Sequence, residues 1–360
     1  MTKNLKGKYR VLVIGESWNG SDCTGLARGF REIGCAVELI GSDQFFPKTD
    51  KAFFSKLLNR LLHVFFKNQF NEYISKVAKI FNPYITVVFK GNHISVQTLK
   101  DLKEENSWLI NFYPDISLTN HSSVEVAGFS YYDHIFTTKS FGIKDYEYNL
   151  GLTNVSFLAH GCDPNVHRFI ERELFKSWTN DVSFIGTWSK HKEDVLRALK
   201  INLPDIELKI WGNGWENIES ECLKSSVVGY PVFGDLYAMA INASRINLGL
   251  LQEIAEGASS GDLITARTFH IPSSGGFMLH ERTEEVLDYF KEDEEIACFS
   301  SEIEMVEKVK FYLESETKRK YVAKMGNERC VRENKHSHRA RSIIEKYEDI
   351  SRLRSMGNDE

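Results

Sequence analysis

No stretch of this 360-residue chain stays apolar long enough to span a bilayer. Its start, Met1-Thr2-Lys3-Asn4-Leu5-Lys6, is polar and runs quickly into a strand-like segment, so no secretory signal is expected. The six cysteines (Cys23, Cys35, Cys162, Cys222, Cys298, Cys330) contain no C-x-x-C pair, which argues against a zinc site and a disulfide framework and places the chain in the reducing cytoplasm. Gly15, Gly20 and Gly25 fit neither G-x-G-x-x-G nor the Walker pattern, because Ser21-Asp22 follow Gly20 where Lys-Ser/Thr is needed. A P-loop enzyme and a NAD-dependent oxidoreductase are both disfavoured. His160, His336 and His338 lack metal-ligand spacing with nearby carboxylates or thiolates, so no metal site is expected.

What is present is an ordinary globular composition, 42% hydrophobic and 26% charged, in a chain long enough for two cores. The net charge of −5 divides unevenly: residues 1–168 hold 19 basic and 16 acidic side chains, and the remainder hold 26 and 34. The basic first half is expected to meet something anionic, a lipid surface or a charged acceptor, but falls far short of a nucleic-acid binder.

Tyr9 to Gly15 reads as a strand buried on both faces; a helix from Gly25 to Ile33, closed by Gly34, and a strand over 36–40 complete a βαβ unit. Residues 51–81 read as a helix. Phe54, Leu57, Leu58, Leu61, Phe65 and Phe66 form its apolar stripe, with Lys51, Lys56, Arg60, Lys67, Lys76 and Lys79 around it. Such a helix either packs on its own domain, the favoured reading, or lies on an anionic membrane. Strands follow over 84–89, 108–112, 134–138 and 155–159, and a polar turn over 160–167 leaves the first domain. The pattern restarts with strands over 181–186, 207–212 and 246–251 and a helix over 193–200; residues 303–355 are charged and helical.

The most informative run is Arg267-Thr268-Phe269-His270-Ile271-Pro272-Ser273-Ser274-Gly275-Gly276-Phe277-Met278-Leu279, a short helix, a Ser-Gly-Gly break and a buried strand. A Gly-Gly turn can bare backbone N–H groups to a phosphate. Read alone, the run serves equally well as a tight connection that binds nothing.

Taken in order, the strand-Gly, His-Gly-Cys-Asp-Pro (160–164), Gly186-Thr187, Gly212-Asn213-Gly214, the 267–279 run, Glu281 to Glu285 and Asn334 to Arg341 resemble the CgeB-like (spore-maturation type) glycosyltransferases. The likeness is densest over 181–345. It implies an α/β chain of GT-B fold: two Rossmann-like parallel-sheet domains with a facing cleft and a C-terminal helical segment. The expected boundaries are 1–168 for the acceptor side, 169–335 for the nucleotide-sugar donor, and 336–360 for a helix and tail packing back on the first domain. It implies transfer from a nucleoside-diphosphate sugar to a glycan, lipid-linked or protein acceptor, with no further cofactor and no metal. A non-catalytic sugar-nucleotide or glycan-binding protein and an epimerase of the same fold remain alternatives.

Glycosyl transfer through an oxocarbenium-like state needs preorganised donors and cations for the departing diphosphate. The expected diphosphate contacts are Gly186, Thr187, Lys190 or Lys192, Arg267, Thr268, Ser274, Gly275 and Gly276. Gly212, Gly214 and the 229–234 segment, beginning at Gly229, are expected to shape the base and ribose pocket. Retaining relatives often carry two glutamates eight positions apart; Asp262 and His270 stand there in this chain, and His270 brings no permanent anion. In the first domain, His93 and Asp115 follow strand ends and are candidates to touch the sugar or act as base.

Overall fold

The computed structural model describes residues 7–46, 53–105, 107–117 and 123–357. It divides into two compact units: 1–159, 255–259 and 336–360 form unit 1, and 160–254 with 260–335 form unit 2. The turn over 160–168, expected in the first domain, thus belongs to unit 2. The cause is local pairing: Cys162 N–H donates to Asn334 O at 2.9 Å, and Ser273 Oγ donates to His167 O at 2.9 Å.

Unit 1 begins β1 (Arg10–Gly15), α1 (Asp22–Glu32), β2 (Ala36–Gly41), α2 (Phe53–Phe81), β3 (Ile85–Phe89), α3 (Val96–Glu104), β4 (Trp108–Tyr113), β5 (His134–Thr137), α4 (Gly142–Leu150) and β6 (Val155–Phe157). The six strands lie parallel in the order β2-β1-β3-β4-β5-β6. Successive side chains of a strand point to opposite faces. Val11 and Val13 therefore join Leu26 and Phe30 of α1 on one side, while Leu12 and Ile14 join Phe70, Ile74 and Ala78 of α2 on the other. That double burial explains the unbroken apolar run of β1.

The i, i+4, i+8 row Phe70, Ile74 and Ala78 seats the second half of α2 on its own sheet. Phe65 of the expected stripe is exposed and Phe66 half-buried; the side chains of Phe54, Leu57, Leu58 and Leu61 lie outside the described residues. Among the described residues, no helix is long and apolar enough to cross a membrane.

Unit 2 contains β7 (Asn180–Ile185), α5 (Lys190–Asn202), β8 (Leu208–Trp211), α6 (Asp235–Ala243), β9 (Ser244–Gly249), α7 (Ala266–Ser273), β10 (Met278–Glu281), α8 (Glu284–Tyr289), β11 (Ala297–Phe299), α9 (Glu302–Glu314) and α10 (Glu316–Glu333). Its parallel sheet runs β11-β10-β9-β7-β8. Val182, Phe184, Ile246 and Leu248 pack under Leu196 and Leu199 of α5 and Met305 and Val309 of α9. The chain then returns to unit 1 as α11 (His336–Gly357). Residues 255–259 also belong there, because Ser117 Oγ donates to Glu256 O at 2.6 Å and Ser259 N–H donates to Asp145 Oδ2 at 3.1 Å.

Helix α11 approaches α1 closely because α1 presents two glycines to it. A Cβ added at Gly29 would lie 2.5 Å from the backbone carbonyl carbon of His336, and one at Gly25 would lie 2.3 Å from the His336 ring. Ala340, Ile343 and Ile344 of α11 then reach the core of unit 1. Overpacking against backbone costs about 1–3 kcal/mol. Gly29→Val is expected to lower the melting temperature of the chain by several degrees, measured by calorimetry; an unchanged melting curve would refute the tight α1–α11 seat.

Candidate active site

In the sheet of unit 2, β7 neighbours β9 while β8 lies beyond β7 and β10 beyond β9. Connections leaving the carboxyl ends of β7 and β9 therefore diverge, and the gap between them is where open α/β sheets hold ligands. Gly186 leaves β7 at this point. A Cβ on it would stand 2.7 Å from Phe184 Cζ and 3.0 Å from Arg267 Nη1. Gly212, with φ +144°, lies against the carbonyl of Gly186, 2.0 Å from where its own Cβ would be. That carbonyl also accepts from Trp215 Nε1 at 2.9 Å. These glycines bring two loop backbones together at the strand ends. Gly214 (φ +82°) continues the second loop beside Trp188. Gly229 has open space around it, and the next residue's carbonyl accepts from Gly212 N–H at 3.3 Å.

Two cations meet at the gap. Lys192, on the first turn of α5, is only 3% exposed, and its Nζ donates to Thr187 O at 3.1 Å and Gln252 Oε1 at 2.6 Å. Arg267, on the first turn of α7, donates from Nη2 to Leu250 O at 2.6 Å and lies over the Phe184 ring; its Nε is buried without a hydrogen-bond partner among the described residues. Burial, and then the neighbouring Arg267 charge, push Lys192 down to about 8. Asp262, Glu253 and Glu281 oppose that shift. Both cations thus hydrogen-bond to neutral oxygens, with the carboxylates of Glu253, Asp262 and Glu281 acting from nearby. Lys190 does not share this role. Its side chain is 59% exposed and its charge is committed to Asp194 at 2.6 Å, because its position on α5 faces outward.

Thr268 is likewise turned inward. His280, fully buried and pushed by that burial to about 4, is a neutral ring. Its Nδ1 lies 2.6 Å from Glu281 O, which can only accept, so the ring proton sits there. Nε2 must then accept from Thr268 Oγ1 at 2.9 Å, and that hydroxyl oxygen accepts from Thr265 N–H at 3.0 Å. The chain of bonds anchors the start of α7 to β10 and commits the Thr268 hydroxyl, an expected diphosphate contact, to His280 and Thr265.

The Ser-Gly-Gly break sits at the other end of α7. Gly275 N–H donates to Pro272 O at 2.9 Å and Gly276 N–H to Ile271 O at 3.1 Å, the paired bonds of a Schellman cap, with Gly275 at φ +78°. Ser274 N–H donates to His270 O at 3.0 Å. The N–H groups of Ser274, Gly275 and Gly276, expected to meet a phosphate, are thus taken up within the cap, and a helix C-terminus repels an anion.

Asp262 lies at the gap, its N–H donating to Gln252 O at 2.8 Å. His270 lies one turn beyond Arg267 on α7, its ring stacked on that of His167 with centroids 3.8 Å apart. In unit 1, Asp115 forms an ion pair with Lys90 at 2.7 Å where β3 and β4 end. His93, at φ +63°, stacks on Phe46 at 4.1 Å. Burial, with the charges of His63 and Lys67, pushes it down to about 4, which makes it a weak base at neutral pH.

The sequence reading missed Gln252, Glu253, His191 and His280. Gln252-Glu253 stood directly after an expected strand, which was the available signal. His191 Nε2 lies 2.6 Å from Glu281 Oε1, and this bond raises its pKa; its N–H donates to Glu253 Oε1 at 2.7 Å. His191 thereby fastens α5 to Glu253 in the loop after β9 and to Glu281 at the end of β10.

A family model described as "Glycosyl transferase-like" matches residues 190–345, which include Lys192, Arg267 and the loops between them. No curated protein matches the chain in sequence. Among solved structures, a sucrose-phosphate synthase from Thermosynechococcus elongatus superposes with a TM-score of 0.63 at 11% identity, covering 96% of this chain and 100% of that one. A glycosyltransferase from Rickettsia africae gives 0.62 at 10% identity, covering 95% and 98%. Anabaena HepE in complex with UDP-glucose gives 0.61 at 10%, covering 95% and 100%. The chain is similar to these proteins in fold: two Rossmann-like parallel-sheet units of GT-B type, with a glycosyl transferase-like segment that covers most of the second and the first ten residues of α11.

Proposed function

We propose that the chain is a glycosyltransferase that moves a sugar from a nucleoside-diphosphate sugar to a glycan, lipid-linked or protein acceptor. The observation that carries this reading is the Lys192–Arg267 pair at the divergence of β7 and β9, two cations facing mainly neutral oxygens at the carboxyl end of a parallel sheet. As the anomeric C–O bond breaks, negative charge grows on the leaving diphosphate, and these cations stabilise it with no rearrangement at the moment of reaction. In this reading the loop from Gly212 to Gly214 and the 229–234 segment receive base and ribose, with His270 one turn down α7. Asp115, held by Lys90, is the better base candidate for the acceptor hydroxyl. The motif resemblance supports the narrower CgeB-like placement and retention of anomeric configuration, with Asp262 and His270 in place of the usual glutamate pair as the point where this chain departs. The bound UDP-glucose of HepE makes a UDP-sugar the first donor to test.

Helix α2 exposes Leu62, Val64 and Phe65. With a lipid-linked acceptor, this end of the helix is the proposed membrane contact of an otherwise cytoplasmic protein.

UDP-glucose or another nucleotide sugar is expected to raise the melting temperature and to be hydrolysed slowly without acceptor. A UDP-, GDP- and dTDP-sugar panel that produces neither effect would remove the transferase reading. Lys192→Met and Arg267→Ala should each weaken UDP binding about 10- to 100-fold, the range of a lost charge-assisted hydrogen bond, measured by calorimetry; Lys190→Ala should leave it unchanged. Lys192 is charged below about 8 and loses its proton above. UDP affinity should therefore fall as pH rises through that value, and the fall should vanish in Lys192→Met. Anionic phosphatidylglycerol vesicles should sediment the chain and release Phe65→Glu; no sedimentation of the parent at low salt would leave only soluble acceptors.

A further inference from the structure

We propose that Cys162 and Cys330 form a reversible disulfide, a redox modification site that staples the two ends of unit 2. The sulfurs lie 3.6 Å apart in the reduced chain, and both residues are fully buried. The surrounding backbone holds them in register. Cys162 N–H donates to Asn334 O at 2.9 Å, and Cys162 pairs with Lys335 as an isolated parallel bridge. Cys330 sits in the last turn of α10, so residues 168 apart meet where the chain enters unit 2 and where it leaves. Reaching a disulfide bond length requires a closing movement of only about 1.5 Å.

The chemistry needs a two-electron oxidant, and a peroxide suffices. One thiolate attacks a peroxide oxygen to give a sulfenic acid and release water; the second sulfur then attacks the sulfenic sulfur, the S–S bond forms and a second water departs. Two thiols and one hydrogen peroxide thus yield one disulfide and two waters. A thiol reductant reverses the change by exchange.

The staple has two physical consequences. It closes a long loop in the unfolded chain, which favours the folded unit. It also reaches α7: Asn327 of α10 donates to Pro272 O at 2.9 Å and Ser273 O at 2.8 Å, and these bonds persist when oxidation removes the Cys330 thiol proton that donates to Phe269 O at 3.2 Å in the reduced state. Locking α10 therefore damps the opening of the helix that carries Arg267 and His270. This inference concerns unit 2 alone and holds whatever ligand the unit takes.

The test uses the full chain with Cys222→Ser, since Cys222 is exposed and would otherwise form links between molecules. The protein is treated with hydrogen peroxide, quenched, alkylated under denaturing non-reducing conditions and mapped by mass spectrometry. The expected result is a linked Cys162–Cys330 peptide that dithiothreitol abolishes and Cys330→Ser lacks. The melting temperature should rise by several degrees on oxidation and return on reduction. Hydrogen exchange across 266–273 should slow about threefold or more, as expected when local opening is suppressed. Full alkylation of both cysteines after peroxide, or their conversion to sulfinic acids without a linked peptide, would overturn the site. A linked peptide with unchanged exchange over 266–273 would overturn its reach to α7.

Discussion

A lysine ammonium taken out of water beside a guanidinium is costly, and the second unit is organised around making that cost tolerable. Lys192 gives up hydration and gains two oxygens, Thr187 O and Gln252 Oε1. Arg267 gains Leu250 O and the face of Phe184. The carboxylates of Asp262, Glu253 and Glu281 act from nearby, yet Lys192 is still held down to about 8. The geometry of the pair is held by the protein, with the carboxylates setting the charge around it.

The placement of the two cations depends on three loops leaving one edge of a parallel sheet. Gly186 and Gly212 let the first two loops touch backbone to backbone, and Gly249 makes room for the His280 ring, which a Cβ there would meet at 2.4 Å. His280 in turn holds Thr268 and so the start of α7, where Arg267 projects. At the far end of α7 the Schellman cap closes the helix, and Asn327 of α10 donates to Pro272 O and Ser273 O. Helix α7 is therefore clamped from both sides, which suits an element that must present a charge without moving. In the reduced chain the Cys330 thiol on Phe269 O is a third clamp, one that the proposed oxidation would exchange for the bond to Cys162.

Strands and helices were legible because their patterns are local. The continuous apolar runs of β1 and β7 and the glycines that follow them place both sheets within a residue or two of where they stand, although the helices α1 and α5 begin three residues earlier than expected and the three-residue β11 had too little pattern to be read. Site residues were legible only in part. Arg267 and Lys192 were named among the candidates, but the same logic also named Lys190, two residues away, and the Gly275-Gly276 turn. Helical phase separates the lysines, one turned into the gap and one into solvent with Asp194. The glycine turn failed for a different reason. A Ser-Gly-Gly break after a short helix has the same spelling whether its N–H groups greet a ligand or close the helix, and here they bond to Pro272 O and Ile271 O.

The sequence by itself determined two parallel α/β sheets, their approximate elements and the candidate residues at the strand ends, because periodicity and glycine placement are properties of neighbouring residues. Tertiary structure alone decided which cations are buried together, that Thr268 serves His280, that Gln252 holds Lys192, and that Cys162 meets Cys330 across 168 positions. Those are long-range encounters. They depend on strand order and helix phase, and no local pattern in the chain encodes either one.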